Sequence, residues 1–255
     1  MDYVEFIKPL DLAEVTAMWD KLSLEWTLVS GLTIKVRNHG EWIIYNDIFV
    51  DREYDLPIQR ALEAKPKERP FVYLDLGANV GFFTFKVADY ILQSQYKDIE
   101  FKGTLIEGSP AVYSELRSRL EAEPFFSDQL TLIHGLIGER EGSGEIFETH
   151  LHVRNSVIAD NSASSKVEVP YIDLDTLYDE SREIDLIKAD IEGSELRLLE
   201  NYPSLLQKVK FAVIEVHYDK CDVSRCFELL RQAGFTNHQQ LRAKSPAFSL
   251  EFFWK

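Results

Sequence analysis

Short apolar runs alternate with helical patterns from Phe71 onward, and this alternation constrains the fold more than any other feature of the sequence. Five runs have the length and composition of strands: FVYLDL, FKGTLIE, QLTLIHGLIG, IDLIKAD and KFAVIEVH. Adjacent parallel strands need a long crossover, which a helix normally supplies. The alternation therefore predicts an α/β fold with a mostly parallel sheet and helices on both of its faces.

The two segments at the end of the chain break this alternation. FTNHQQLRAK and AFSLEFFWK are joined around Ser245 and Pro246 without a helical pattern between them. They must pair antiparallel, and we expect them to add one antiparallel strand at an edge of the sheet. The polar stretch between Glu139 and Leu177 contains two weakly alternating pieces, EIFETHLHV and VEVPYI, which predict a hairpin-like insertion.

The first 70 residues follow a different pattern. Asp11 is a candidate N-cap, and the apolar residues that recur after it at helical spacing are Leu12, Val15, Trp19 and Leu22. LTIKVR and EWIIYNDIFV flank the turn residues 38–40 and predict a hairpin, and PIQRALEAK predicts a short helix. Two prolines in PKERP indicate a linker. We therefore expect a small N-terminal α/β cap over residues 1–70 and a larger domain over residues 71–255.

The charge of the chain limits the partners it can have. Its 43 Asp and Glu residues outnumber 28 Lys and Arg, so the formal net charge is -15. Such a charge repels phosphate backbones, which argues against nucleic acid as a partner. The first residues lack the pattern of an export signal, and no uncharged run is long enough to span a bilayer. We expect a cytoplasmic protein without membrane insertion, in which Cys221 and Cys226 are plain thiols of one helix.

The turn LDLGANVGFF, between the first strand and its helix, carries the most specific pattern. The dinucleotide fingerprint G-x-G-x-x-G would need glycine at positions 79 and 82, where Asn79 and Phe82 stand, so that fingerprint is absent. Gly77 lets the backbone approach a ligand, and Asn79 and the free amides at the helix start can hold a carboxylate. Asp75 can attract an ammonium or a sulfonium. The turn therefore suits a cation that carries an amino acid.

The next two strand ends extend this pattern. Glu107 ends the second strand, where a carboxylate can accept two hydrogen bonds from a ribose diol. The turn and Glu107 together predict a binding site for S-adenosylmethionine, which carries an amino acid, a sulfonium and a ribose. Leu136 or Ile137, at the exit of the third strand, could pack against the adenine. A glycine turn or a strand-end acid commonly has only a structural role. Here these features occur at the ends of consecutive strands, and this combination is what indicates a cofactor site.

The stretches IDLIKADIEGSELRLLE and FAVIEVH complete a resemblance to the FkbM family of S-adenosylmethionine-dependent O-methyltransferases. The shared motifs are D-L-G-A-N-x-G-x-F/Y, I-E-G-S-P, K-x-D-x-E-G-x-E and I-E-V-H, and they cover roughly residues 71–217. The resemblance implies a Rossmann-like class I methyltransferase fold and a hydroxyl acceptor on a small molecule such as a sugar, glycolipid or polyketide-type metabolite. It implies a cofactor role for Asp75, Gly77, Asn79, Gly81 and Glu107, and it matches Asp190 and Glu192 to the family's fourth-strand acids. The third-strand exit departs from the family, with His134-Gly135-Leu136 where relatives more often have an Asn-Ala pair.

Methyl transfer to oxygen is an in-line displacement that needs a base for the acceptor's proton, or a metal that lowers its pKa. The candidate catalytic residues are Asp190, Glu192, Glu215 and His217, at the exits of the fourth and fifth strands. His217 is the natural base because imidazole titrates near neutral pH, and Asp190 could orient it, the acceptor or the cofactor. Lys188 is expected to pair with an acid. The structural alternatives are a helix cap for Asp190, a first-turn acid for Glu192 and an exposed loop histidine for His217.

Other readings stay open at this point. The three carboxylates and the histidine could hold a divalent cation, as in catechol-type O-methyltransferases. The chain could also bind the cofactor without turnover, whereas an N-methyltransferase on nucleic acid is disfavoured because KADIEG replaces the N/D-P-P-Y/F motif. We expect His150 and His152 to be surface residues, Asp173 and Asp175 to be turn and cap residues, and the aromatic residues of the cap to fill a core: Trp19, Trp26, Trp42 and Tyr45.

Overall fold

A computed structural model of the chain describes residues 17–19, 21, 22, 24–93, 95, 96, 99–148, 165–178, 183–243 and 247–255. The strands are β1 (Leu24–Thr27), β2 (Thr33–Val36), β3 (Phe71–Leu76), β4 (Phe101–Glu107), β5 (Leu130–His134), β6 (Ser143–Glu148), β7 (Ser165–Pro170), β8 (Ile184–Ala189), β9 (Val209–His217), β10 (Asn237–Ala243) and β11 (Phe248–Trp254). The α-helices are α1 (His39–Tyr45), α2 (Asp55–Ala64), α3 (Phe82–Ile91), α4 (Pro110–Glu121), α5 (Glu195–Asn201), α6 (Pro203–Lys208) and α7 (Val223–Gln232). None of the described helices is both long and apolar enough to cross a bilayer.

Within these residues the central sheet has seven strands in the order β10-β11-β9-β8-β3-β4-β5. β3, β4, β5, β8 and β9 pair in parallel, and β11 runs antiparallel to both of its neighbours. The mostly parallel α/β sheet is confirmed. The antiparallel strand, however, lies one position inside the edge, because the chain places β10 outermost and returns through β11 between β10 and β9.

Both faces of the sheet are covered, as the near-continuous apolar strands require. All six residues of β3 are buried, and its five apolar residues divide between two apolar clusters. Phe71 and Tyr73 pack with α2, α3 and α4, whereas Val72, Leu74 and Leu76 pack with α5, α6 and α7. The chain runs outward from β3 through β4 to β5 and then crosses to β8 and β9, so β3 and β8 flank the point where the strand order reverses. Ligands of such sheets bind there, outside the carboxyl ends of the strands.

The prediction of a hairpin between LTIKVR and EWIIYNDIFV is wrong. β2 pairs with β1 instead, and the apolar run forms α1, which continues as a π-helical turn over Asn46–Val50. Asn38 caps α1 by accepting a hydrogen bond from the backbone N–H of Glu41, at 2.9 Å. The buried Glu41 carboxylate in turn binds the Arg119 guanidinium at 2.8 Å. A continuous apolar run does not distinguish a strand from a buried helix, and here the cap and the buried ion pair favour the helix.

The short helix α2 and the antiparallel hairpin of β6 and β7 are confirmed. The predicted N-cap Asp11, most of the first predicted helix, and His150 and His152 lie outside the described residues. The aromatic residues of the N-terminal section are confirmed as core, since Trp19, Trp26, Trp42 and Tyr45 belong to or pack against the larger apolar cluster. That cluster also holds Phe71 and Tyr73, so the division at residue 70 stays a prediction.

Candidate active site

The turn between β3 and α3 is shaped by the protein's own backbone. Gly77 has a φ of +73°, and a Cβ there would collide with the carbonyl oxygen of Asp190. Gly81 has a φ of +88°, and a Cβ there would lie 2.8 Å from Cδ1 of Leu116 on α4. Packing against the backbone therefore requires glycine at position 77, whereas the left-handed φ favours glycine at position 81. From the sequence we expected glycine at position 77 to allow a ligand to approach the backbone. In the structure the close approach is made by the backbone of Asp190.

Asn79 and Glu107 join the turn to the end of β4. Asn79 has a left-handed backbone, with a φ of +49°, and its N–H donates to the Glu107 carboxylate at 2.9 Å. The other Glu107 oxygen accepts from the Ser109 N–H at 2.8 Å. Burial raises the pKa of Glu107, while these two backbone hydrogen bonds oppose that rise by favouring the carboxylate. Each oxygen keeps a second acceptor site, so the carboxylate is oriented but still able to bind a diol.

Asp75 is fully buried beneath this turn, with 0% of its surface exposed. The Lys188 ammonium lies 3.3 Å from an Asp75 oxygen and donates to the Gly77 carbonyl oxygen at 2.6 Å. The expected pairing of Lys188 with an acid is confirmed. Burial raises the pKa of Asp75, and the nearby ammonium opposes that shift. The proposed attraction of a cofactor cation by Asp75 therefore stays a prediction, and any such cation would share the carboxylate with the Lys188 ammonium.

His217, at the end of β9, is surrounded by carboxylates and is 4% exposed. Its Nδ1 lies 2.9 Å from Oε1 of Glu195, and its Nε2 lies 3.5 Å from oxygens of Glu192 and Glu215. Burial lowers the pKa of His217, but the hydrogen bond to Glu195 and the negative charges of Glu195, Glu192 and Asp190 outweigh it and raise the pKa to about 9. The alternative of an exposed loop histidine is therefore wrong. The side chain is a buried imidazolium at neutral pH.

Glu195 is the site residue that the sequence argument missed. It begins α5, is 0% exposed, and its Oε1 also accepts from the Gly193 N–H at 3.1 Å. Its position as the last acid of KADIEGSE was the available signal. A first-turn glutamate is usually attributed to the helix dipole alone, so only the fold identifies it as the partner of His217.

The loop between β8 and α5 holds the remaining acids. Glu192 has a φ of +51°, and its carboxylate pairs with the Lys220 ammonium at 2.9 Å. Burial raises the pKa of Glu192, and the neighbouring Asp190 charge adds to the effect. The Asp190 N–H donates to the Leu76 carbonyl oxygen at 3.1 Å, which ties this loop to β3. The capping alternative for Asp190 is not observed, because α5 is preceded by Ser194.

Asp190, Glu192 and His217 each offer one ligand atom, and these atoms lie within 4.8 Å of one another. A second acidic group, Asp47, Asp51 and Glu53, has the same property but is engaged by the Arg242 guanidinium. The first group is also paired with a cation, since Glu192 contacts the Lys220 ammonium, but among the described residues it is the group that lies at the carboxyl ends of β8 and β9. Its histidine has the ring orientation typical of metal ligands, with Nδ1 bound to a carboxylate and Nε2 turned toward the acids.

The N-terminal section also reaches this cluster, through Tyr54. Its side chain is buried, and its ring contacts Phe83 edge to face. Burial raises the pKa of Tyr54 well above its usual value, and the charges of Asp190 and Glu215 add to the rise. The phenol therefore stays neutral.

The exit of β5 is closed by the β6–β7 hairpin. Leu136 is 5% exposed and packs with Ile146 and Val169 at the base of that hairpin, and Ile137 packs in the cluster beside α5 and α6. The His134 ring is fixed by a 2.9 Å hydrogen bond to the Gly108 carbonyl oxygen. Adenine contacts by Leu136 or Ile137 stay a prediction. Asp173 is confirmed as a cap residue, since its side chain accepts from the Asp175 N–H.

A profile of the methyltransferase FkbM domain matches residues 75–236, which include the turn, Glu107 and the whole cluster around His217. Curated protein sequences give no match. Among solved structures, a methyltransferase FkbM from Methylobacillus flagellatus KT is 16% identical, with a TM-score of 0.50. That similarity covers 84% of this chain and 60% of the other, so the chain spans less than two thirds of that protein's length. The N-terminal domain of human METTL16 in complex with SAH is 11% identical over 94% of both chains, with a TM-score of 0.46.

Proposed function

Because the chain belongs to the FkbM methyltransferase family, we propose that it is an S-adenosylmethionine-dependent methyltransferase that methylates a hydroxyl group of a small molecule. The observation that carries this proposal is the buried His217–Glu195 pair, in which Nδ1 is held by Glu195 and Nε2 lies 3.5 Å from the acids Glu192 and Glu215 near the carboxyl ends of β8 and β9. A hydroxyl is a poor nucleophile, and a histidine oriented by a carboxylate is a common means of taking its proton.

The residues at the tips of β3 and β4 fit the cofactor. Glu107 would bind the ribose diol, because its carboxylate is fixed by two backbone N–H groups and retains acceptor capacity. The Gly77–Asn79 turn, held by Lys188, would hold the amino-acid part. The cofactor supplies an electrophilic methyl group. The acids near the carboxyl ends of β8 and β9 would attract a sulfonium, since opposite charges attract more strongly where the side chains are buried.

In this proposal His217 accepts the acceptor's proton at Nε2, and Glu195 holds the ring by its hydrogen bond to Nδ1. The base must be neutral, whereas the surrounding carboxylates keep His217 protonated up to a pH of about 9. Activity should therefore rise with pH toward that value. Asp190 and Glu192 stabilise the imidazolium that results, and the neutral Tyr54 phenol is a candidate donor to the acceptor.

The test is transfer of radiolabelled methyl groups to a panel of hydroxylated sugars, glycolipids and polyketide-type compounds. His217→Asn should lower turnover with little change in cofactor affinity. His238→Asn is the matched control, because His238 also pairs with a glutamate, Glu251, but lies on the outermost strand, β10. Equal turnover in both variants would contradict the base assignment, and cofactor binding without transfer to any acceptor would favour a binding protein.

A metal-dependent, catechol-type reaction is the second candidate, favoured by the spacing of Asp190, Glu192 and His217. A divalent cation bound there would lower the pKa of the acceptor hydroxyl, and His217 would serve as a ligand. Exhaustive chelation distinguishes the two reactions. Activity that survives chelation would exclude the metal-dependent reaction. Activity that is lost on chelation and restored by magnesium would favour it over base catalysis by His217.

A further inference from the structure

The turn that follows β9 brings the chain's two cysteines together. The sulfurs of Cys221 and Cys226 lie 3.9 Å apart, and the Cys226 thiol donates to the Cys221 sulfur. Both are free thiols. The sequence placed them in one helix, where a spacing of five residues is awkward for a disulfide. In the structure only Cys226 lies in α7, because the helix is capped by Asp222 and Cys221 precedes the cap.

The two sulfurs differ in access. Cys226 is 1% exposed and belongs to the apolar cluster on the α7 face of the sheet, whereas Cys221 is half-buried. A disulfide requires the sulfurs to approach to about 2 Å, so the gap must close by roughly 2 Å. Cys221 lies in a turn outside regular structure, and rotation of its side chain together with a small shift of that turn can supply this movement.

We propose that Cys221 and Cys226 form a reversible intramolecular disulfide, with Cys221 as the attacking thiol and hydrogen peroxide as the oxidant. The Cys221 sulfur takes one oxygen from peroxide to give a sulfenic acid, and one water leaves. The Cys226 sulfur then attacks the sulfenic sulfur, the S–O bond breaks, and the hydroxyl leaves as a second water with the Cys226 proton. Each sulfur gives up one electron, and one peroxide is reduced to two waters.

This disulfide would adjoin the proposed catalytic histidine. The Cys221 backbone N–H and its thiol both donate to the His217 carbonyl oxygen, at 3.1 Å and 3.2 Å. The neighbouring Lys220 holds the Glu192 carboxylate. Oxidation removes the thiol donor and shifts the turn that carries Lys220. Reduction by a dithiol restores both contacts.

The experiment uses the full chain, reduced, freed of reductant and treated with stoichiometric peroxide before alkylation of the remaining thiols. We expect a monomer that has lost two hydrogen atoms, resists alkylation and regains both thiols with dithiothreitol. Peptide mapping should place the bond between Cys221 and Cys226, which are the only cysteines in the sequence. Two alkylated thiols, or a disulfide-linked dimer, would overturn the proposal.

Two variants separate the roles of the cysteines. Cys226→Ala should leave Cys221 to be oxidised beyond sulfenic acid, to the sulfinic acid. Cys221→Ser keeps a hydroxyl donor near His217 and should leave the buried Cys226 unoxidised under the same treatment. If sulfinic acid forms at Cys221 equally fast in the unmodified chain and in Cys226→Ala, then Cys226 does not attack the sulfenic acid of Cys221. Oxidation of Cys226 at an undiminished rate in Cys221→Ser would contradict the assignment of Cys221 as the attacking thiol.

Discussion

Replacing Lys188 with methionine should destabilise the fold by about 3–5 kcal/mol, because it strands a buried carboxylate. Asp75 is 0% exposed and Lys188 is 5% exposed, and their charged atoms are 3.3 Å apart. At that separation and an effective dielectric constant of about 20, the Coulomb attraction is about 5 kcal/mol. The Lys188 ammonium also donates to the Gly77 carbonyl oxygen at 2.6 Å, and methionine cannot replace that bond.

The assay is urea unfolding at pH 7 of the unmodified chain, Lys188→Met, Asp75→Asn and the double variant. The double variant should lose less than the sum of the two single losses, because neither charge is then left alone. The matched control is the surface pair Lys35–Glu25, at 2.8 Å, whose side chains are 57% and 46% exposed. Lys35→Met should cost about 0–1 kcal/mol. A loss from Lys188→Met no larger than that of the control would show that Lys188 does not stabilise the buried Asp75 carboxylate.

Three further predictions concern the two halves of the site. Glu107→Gln should weaken S-adenosylhomocysteine binding about 10- to 100-fold, because hydrogen bonds to a charged group contribute about 1.5–3 kcal/mol; calorimetry that finds unchanged affinity would contradict the ribose assignment. The pKa of His217 is raised on folding to about 9, so its contribution to stability is complete below pH 6.5 and is lost as the pH rises through 9. We expect a fall of about 3 kcal/mol over that range in urea unfolding, and His217→Asn should lack this fall; equal slopes in both proteins would show that His217 is not charged in the folded state. Glu195→Gln should shift the pH–rate profile to lower pH, because the hydrogen bond to Glu195 is the largest of the effects that raise the pKa of His217. An unchanged profile would show that Glu195 has only a structural role.

Much of the sheet could be predicted because its signals are local. The residues of β3 are apolar without interruption and are followed by a glycine turn, and the Ser109-Pro110 pair marks the start of α4. These signals hold wherever the segment lies in the fold. They therefore placed Glu107 and Asp190 at strand ends from the sequence alone.

The errors arose where the outcome depends on a distant partner. Glu41 lies in a helix that is stabilised by Arg119, 78 residues away, and no local pattern in EWIIYNDIFV reveals that pair. The burial of Asp75 beneath Lys188 has the same origin, since those residues meet only when β3 and β8 pair. Glu195 was missed for this reason as well, because its role depends on His217 at the end of β9, 22 residues away.

The proposed function requires that the tips of β3 and β4 hold the adenosyl amino acid with its sulfur toward His217. The most direct measurement is a crystal structure of the chain with S-adenosylhomocysteine. We expect the ribose hydroxyls to contact the Glu107 carboxylate and the sulfur to lie on the side of Asp190 and His217. A nucleoside bound elsewhere, with Glu107 still contacting only Asn79 and Ser109, would contradict it.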